Sequence, residues 1–226
     1  MHLIIDADDT LWENNIYFER AFDEFCDFLS HSTMAPGEVR EVLDAIETAN
    51  AKVHGYGSLN FGRNLRHTYE RLAERGITDS DLQSVMRFAE RILEQPIEII
   101  DGVPETLADL STRHDLTLFT KGSVDEQRLK IDRSGLGRHF AHTAIVREKH
   151  ADAYRELVRD RAMHPPRAWM IGNSPKSDVN PALEAGLNAV FVPHVHTWRL
   201  EKEDLRPRAG RQLLIVERFA DLQRHF

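Results

Sequence analysis

A single cysteine, Cys26, among 226 residues excludes an internal disulfide, and no apolar run approaches the roughly 20 residues that a helix needs to span a bilayer. Cys26 lies on an apolar helical stretch and is expected to be a buried structural thiol rather than a nucleophile. Basic charge is scarce: 29 lysines and arginines stand against 37 aspartates and glutamates, a net charge of -8. That balance excludes the broad basic surface on which a nucleic-acid polymer is held. An anionic ligand would need a local trap, a metal ion or a few aimed N–H donors. The basic segment and long apolar stretch of a secretion signal are missing too, since Met1-His2 leads straight into Leu3-Ile4-Ile5 and an acidic cluster. A cytoplasmic protein is the expectation. What is present suits a globular chain: 41% hydrophobic and 29% charged residues are enough for a core and argue against disorder. The length accommodates one large domain, or one domain carrying a substantial insertion.

Short apolar runs recur at Leu3–Ile5, Leu116–Phe119, Thr143–Val146, Ala168–Ile171, Ala189–Val192 and Leu213–Val216. Their length, β-branched content and polar flanks predict buried parallel strands. Helical segments lie between them: Pro104 to Arg113 has proline in its first turn, and Pro181 to Ala185 stops at Gly186. This alternation predicts a doubly wound, Rossmann-like α/β core. Residues 13–99 break it. Phe18, Phe22, Phe25 and Leu29 form one stripe at helical spacing, and Val39, Val42, Ile46 and Val53 a second. Phe61, Leu65, Tyr69 and Leu72 form a third, and Leu82, Val85, Ala89 and Ile92 a fourth. Four amphipathic helices in a small bundle are expected, broken at Pro36-Gly37, Gly55-Tyr56-Gly57 and Gly76 and closed by Pro96. The expected organisation is a core of residues 1–12 and 100–226 with an all-helical insertion at 13–99.

Open α/β sheets bind ligands beyond the carboxyl ends of their strands, so polar residues there are the first candidates for chemistry. Asp6-Ala7-Asp8-Asp9-Thr10 follows the first run and Thr120-Lys121-Gly122-Ser123 ends the second. Lys149 lies between the third and fourth runs, and Gly172-Asn173-Ser174-Pro175-Lys176-Ser177-Asp178 follows the fourth. Two carboxylates leaving a buried strand two residues apart repel and lose solvation, so Asp6 and Asp8 call for a cation. Magnesium suits them, because it takes oxygen ligands and commonly only one or two carboxylates. Alternatively the turn is simply acidic, with Asp9 or Thr10 satisfying N–H groups of the next helix.

Residues 3–11, LIIDADDTL, resemble the first motif of haloacid dehalogenase-like hydrolases, an apolar strand followed by DxDxT. Thr120 at the end of LTLFT resembles the second motif, Lys149 the third, and GNSPKSD at 172–178 the fourth. The helical insertion falls where that family carries a cap between motifs one and two. The resemblance implies a magnesium-dependent phosphohydrolase acting on a small phosphorylated metabolite. Asp6 would be the covalent nucleophile and Asp8 the general acid and then base. Thr120 and backbone N–H groups of the Lys121-Gly122 turn would hold phosphoryl oxygens, and Lys149 would neutralise charge around them. Asp6, the backbone carbonyl of Asp8, and Asn173 or Asp178 would hold Mg2+. Asn173 stands where the family usually has an acid, and an amide oxygen can replace it with one less charge.

Other polar residues are weaker candidates. His194 and His196 form an H-x-H pair without an evident third zinc-type ligand. Trp12 could pack or face a substrate, and Tyr56, Ser58, Asn60 and Phe61 could do either at a break in the insertion. A haloacid dehalogenase is the nearest rival reading, opposed by Asp8 because halide departure needs no acid. A phosphonate-cleaving enzyme would need a Schiff-base lysine, and Lys52 is the only one in the insertion. A signalling receiver, or a binding protein on the same fold, is a rival of another class, and an insertion of this size opposes the receiver. The oligomeric state is left open.

Overall fold

All six apolar runs form strands: β1 (His2–Ile5), β2 (Asp115–Lys121), β3 (His142–Val146), β4 (Ala168–Gly172), β5 (Asn188–Phe191) and β6 (Leu213–Ile215). The computed structural model describes residues 1–226. The strands make one sheet in the order β3-β2-β1-β4-β5-β6, and every neighbouring pair is parallel. Strand order reverses at β1, between β2 and β4, which places a crevice beyond the carboxyl ends of β1 and β4. Ile5 fixes the register there, opposite Leu118 on one side and Ile171 on the other.

Alternate residues of a strand point to opposite faces, and each face of β1 has its own core. Leu3 and Ile5 pack with Val103, Leu107 and Leu110 of α5 (Val103–Leu110) and Ile131 of α6 (Val124–Ser134). Ile4 packs with Tyr154 and Leu157 of α7 (Ala151–Asp160) and Ala182 of α8 (Asn180–Glu184). Helices therefore cover both faces, the doubly wound arrangement. β3 and β6 are only partly buried, against the expectation of six buried strands, because they are the sheet edges.

The chain divides into two compact units, Met1–Asn15 with Ile97–Phe226, and Ile16–Pro96. Within the first unit the outgoing and returning segments pair with each other. Glu13 N–H donates to the Glu98 carbonyl at 2.9 Å, Ile100 N–H to the Leu11 carbonyl at 3.0 Å, and Trp12 and Ile99 form an antiparallel bridge.

The second unit holds α2 (Pro36–His54), α3 (Ser58–Leu72), α4 (Asp79–Glu90) and nearly all of α1 (Asn15–Leu29). Its core joins Phe22, Phe25, Phe61, Leu65, Tyr69, Val85 and Ile92, drawn from three of the predicted stripes. The stripe assigned to α2 is out of phase. Val39 is buried, but Leu43 rather than Val42 or Ile46 is its inward neighbour, and Val53 is 65% exposed. The inner face of α2 is instead completed by Arg40, Asp44 and Glu47. Arg40 lies 3.6 Å over the ring of Phe22 and pairs with Glu19, so its charge is buried against an aromatic face and a carboxylate. Pro36 is also not a break: it occupies the first turn of α2, where its missing N–H costs nothing, and the break lies before it. Cys26 is half-buried at the margin of this core rather than inside it, and burial raises its thiol to about 11, so it is not poised as a nucleophile. Phe61 stacks edge-on to Phe18 at 5.1 Å and Asn60 donates to the His54 carbonyl at 2.6 Å, so this break is packed and hydrogen-bonded. No helix in either unit is long and apolar enough to cross a membrane.

The phase of α2 is testable. Leu43→Ala should cost about 2–5 kcal/mol by urea denaturation, as buried leucines do, whereas Val53→Ala at the exposed position should stay within roughly 0.5 kcal/mol of the parent.

Candidate active site

Asp6 continues β1, its N–H donating to the Ile171 carbonyl of β4 at 2.9 Å, so its carboxylate is delivered to the crevice by the ladder itself. Lys149, from the segment after β3, sets its ammonium between two carboxylates. Its Nζ lies 2.5 Å from Asp6 Oδ1 and 2.8 Å from Asp178 Oδ1, and all three side chains are buried. The ring of Phe119 lies 5.5 Å from the same Nζ. Burial pulls the lysine down, but Asp178 and Asp6 outweigh it and hold the ammonium above its ordinary value. For Asp6 the balance falls the other way: burial, then repulsion from Asp178, raise it to about 7 against the pull of Lys149.

Thr10 Oγ1 lies 3.0 Å from Asp6 Oδ2 and 3.3 Å from Asn173 Oδ1, bridging the turn after β1 to the turn after β4. Asn173 donates from Nδ2 to Thr197 at 2.9 Å, which turns its oxygen toward Thr10. Asp178 is carried by a single π-helical turn, Pro175–Val179, and its Oδ2 accepts the Ser174 N–H at 2.9 Å. Gly172 makes room for it: a Cβ there would lie 2.3 Å from Asp178 Oδ2. The turn after β1 is tight because Asp9 adopts a left-handed φ of 58°, which aspartate tolerates better than most residues. Asp9 accepts the N–H groups of Asn14 and Asn15 at 2.9 and 3.0 Å at the start of α1, so the capping alternative holds for Asp9 but not for Thr10.

Asp8 points elsewhere than Asp6. Lys130 Nζ sits 2.9 Å from both of its oxygens, Gln127 Nε2 donates to Oδ2 at 2.8 Å, and Trp12 Nε1 to Oδ1 at 2.8 Å. Burial alone would raise this carboxyl, but Lys130, with Gln127 and Trp12, holds it below the ordinary range. Trp12 is fully buried and thus both packs and orients Asp8. Thr120 is buried at the end of β2 with Oγ1 3.3 Å from Gln127 Oε1, so one glutamine contacts both the Thr120 and Asp8 positions. Gly122 has a φ of +138°, open to glycine, and its N–H donates to the Val146 carbonyl at 3.0 Å.

The Lys121 side chain turns away from Asp6 to Glu201 at 2.6 Å and Ser177 at 2.8 Å, with Glu148 at 3.5 Å. Only its backbone is left for an anion. Glu201 also accepts from Ser174 at 2.7 Å, and although burial would raise it, Lys121 and the serine hydroxyls hold it ionised.

Sequence reasoning missed Gln127, Lys130 and Glu201. A signal existed for the first two: α6 buries Glu126, Gln127, Lys130 and Ile131, a helix face with one apolar residue among polar ones, immediately after the Thr120 motif. Glu201 sits in a 3-10 turn, Arg199–Glu201, with no local pattern to mark it.

Asp6, Asn173 and Asp178 offer oxygen donors only, and two carboxylates against one ammonium leave a negative balance that raises Asp6. A hard divalent cation fits that deficit. Asp8, with its carboxylate committed to Lys130, has only its backbone carbonyl to offer.

The profile of the haloacid dehalogenase-like hydrolases matches residues 1–186. Among solved structures, a haloacid dehalogenase-like family hydrolase from Xanthomonas campestris is 28% identical, with a TM-score of 0.84 over 100% of this chain and 93% of that one. The magnesium-bound HAD-hydrolase YfnB from Bacillus subtilis is 14% identical, TM-score 0.69, covering 99% and 97%. A 2-haloacid dehalogenase from Pseudomonas syringae pv. tomato is 18% identical, TM-score 0.64, covering 99% and 96%. No curated protein matches the chain. Strand order, the run of polar residues at the strand ends and the matched length agree: the chain is a member of the haloacid dehalogenase-like hydrolase family.

Proposed function

We propose that the protein is a magnesium-dependent phosphatase that hydrolyses a small phosphomonoester through an aspartyl-phosphate on Asp6. The observation that carries this reading is the buried set of Asp6, Asp178 and Lys149, with Asn173 turned toward it through Thr10. It combines a nucleophilic carboxylate, oxygen donors and a fixed cation in one place. Asp6, Asn173, Asp178 and the Asp8 carbonyl would hold Mg2+, which when bound supplies positive charge to the phosphoryl oxygens and to Asp6. Lys149 already holds Asp6 Oδ1 and would keep its charge in place as Asp6 is esterified, which costs no reorganisation. Thr120 and the N–H groups flanking Gly122, whose own N–H is engaged by the Val146 carbonyl, would receive phosphoryl oxygens. Asp8, as the ionised partner of Lys130, is ready to take a proton from the water that cleaves the ester. To protonate the leaving oxygen in the first step it must gain a proton and loosen from Lys130. The helical unit would act as the cap that excludes water from the reaction, and a cytoplasmic location with a small metabolite as substrate belongs to the same reading.

One observation favours a second reading. A carboxylate held ionised by Lys130 is a poor acid, and carbon–halogen hydrolysis needs none. The two readings separate in one assay: phosphate release from a panel of phosphomonoesters should vanish with chelator, whereas halide release from 2-haloacids would survive it.

Three outcomes follow for the phosphatase. Asp6→Asn should lower kcat by on the order of 10³-fold or more, the scale on which covalent machinery fails, while unchanged turnover removes Asp6 as nucleophile. Because burial and Asp178 raise Asp6 to about 7, activity at limiting magnesium should climb as pH rises through that value, and added magnesium should move the limb to lower pH by favouring the carboxylate. A limb that ignores magnesium would sever the metal from Asp6. Gly172→Ala should destabilise the fold by about 1–3 kcal/mol and weaken magnesium binding in calorimetry, by driving Asp178 away from Lys149.

A further inference from the structure

The H-x-H pair at His194 and His196 finds in the fold what the sequence did not supply. The His194 ring lies against two carboxylates, with Nε2 3.3 Å from Glu13 Oε1 and Nδ1 3.8 Å from Asp9 Oδ1. One donor atom from each of Asp9, Glu13 and His194 lies within 4.8 Å of the others. Asp9 is 6% exposed, and neither carboxylate pairs with a lysine or arginine. Glu13 Oε2 is shut off from solvent with no hydrogen-bond partner. Nδ1 of His194 accepts the N–H of His196 at 3.3 Å, so that nitrogen presents a lone pair.

We propose that Asp9, Glu13 and His194 form a second divalent-cation site, adjoining the Asp6 centre but sharing no side chain with it, and that it takes zinc or a metal of similar softness. Two carboxylates and one imidazole are a three-ligand set with positions open to water, and the imidazole distinguishes it from the all-oxygen set of Asp6, Asn173 and Asp178. The site joins two segments far apart in sequence. Asp9 and Glu13 belong to the turn that follows the nucleophile, and His194 to the loop whose Thr197 hydrogen-bonds Asn173. A bound ion would tie that loop to that turn.

The test is calorimetric titration of zinc into tag-free protein held in excess magnesium, with wild type, Glu13→Gln, His194→Ala and Asp6→Asn run in parallel and folding checked by circular dichroism. One zinc per chain is expected in the wild type and in Asp6→Asn, with affinity falling at least tenfold in His194→Ala and in the isosteric Glu13→Gln. An anomalous peak at the zinc edge beside His194 in crystals should agree. Zinc bound equally well without His194, zinc lost in Asp6→Asn, or no zinc beyond the magnesium-protected level would each overturn the proposal, leaving Glu13 and His194 as a plain hydrogen-bonded pair.

Discussion

The ammonium of Lys149 between Asp6 and Asp178 is the contact on which the site rests. Charges this deeply buried are costly, and they persist only when each is paired and hydrogen-bonded. Here the pairing joins the ends of separate elements: Asp6 after β1, Lys149 after β3 and Asp178 on the turn after β4. The order of the sheet matters for that reason. With β1 flanked by β2 and β4, the residues leaving these strands converge on one crevice, and the bare Cα of Gly172 admits Asp178 to it. The triad is also unbalanced, two negative charges to one positive, an excess that a further cation would offset.

The neighbouring carboxylate meets the opposite fate. Asp6 and Asp8 are two residues apart, yet one is pushed up by burial and a like charge while the other is held down by Lys130 and two further donors. Separation of this kind is how a site gives two identical groups different tasks. It arises because the chain leaves the ladder after Asp6: Asp6 is still hydrogen-bonded to β4, whereas Asp8 lies in the turn beyond it and meets α6. Gln127, reaching both Thr120 and Asp8, mechanically links the second motif to the first.

The sheet was legible from the sequence because its strands are buried and uniformly apolar, so their period and their flanks carried the signal. The meeting of Asp6, Lys149 and Asp178 was legible for a related reason: each follows an apolar run, at the end of the sheet where open α/β folds bind ligands. Spacing failed where burial is polar. In α2 the valines and isoleucine suggested one face, while Arg40, Asp44 and Glu47 occupy the real one, the burial of Arg40 being offset by the Phe22 ring and Glu19. Lys130 was hidden likewise, as a lysine on a helix reads as solvent-exposed until Asp8 is seen beside it. The acids around His194 lie 181 and 185 residues away along the chain, a separation no local pattern can bridge.

The bridged segments Leu11–Glu13 and Glu98–Ile100 carry a consequence for how such a chain is assembled and diversified. The two ends of the 81-residue helical unit, Ile16–Pro96, are already brought together by backbone hydrogen bonds belonging to the other unit. Loop closure is the entropic penalty of any insertion, and it grows only slowly with length once the ends are held. The bridged segments therefore work as a graft junction. Because the hydrogen bonds that close the insertion lie outside it, its length and sequence can change without pulling on the register of β1.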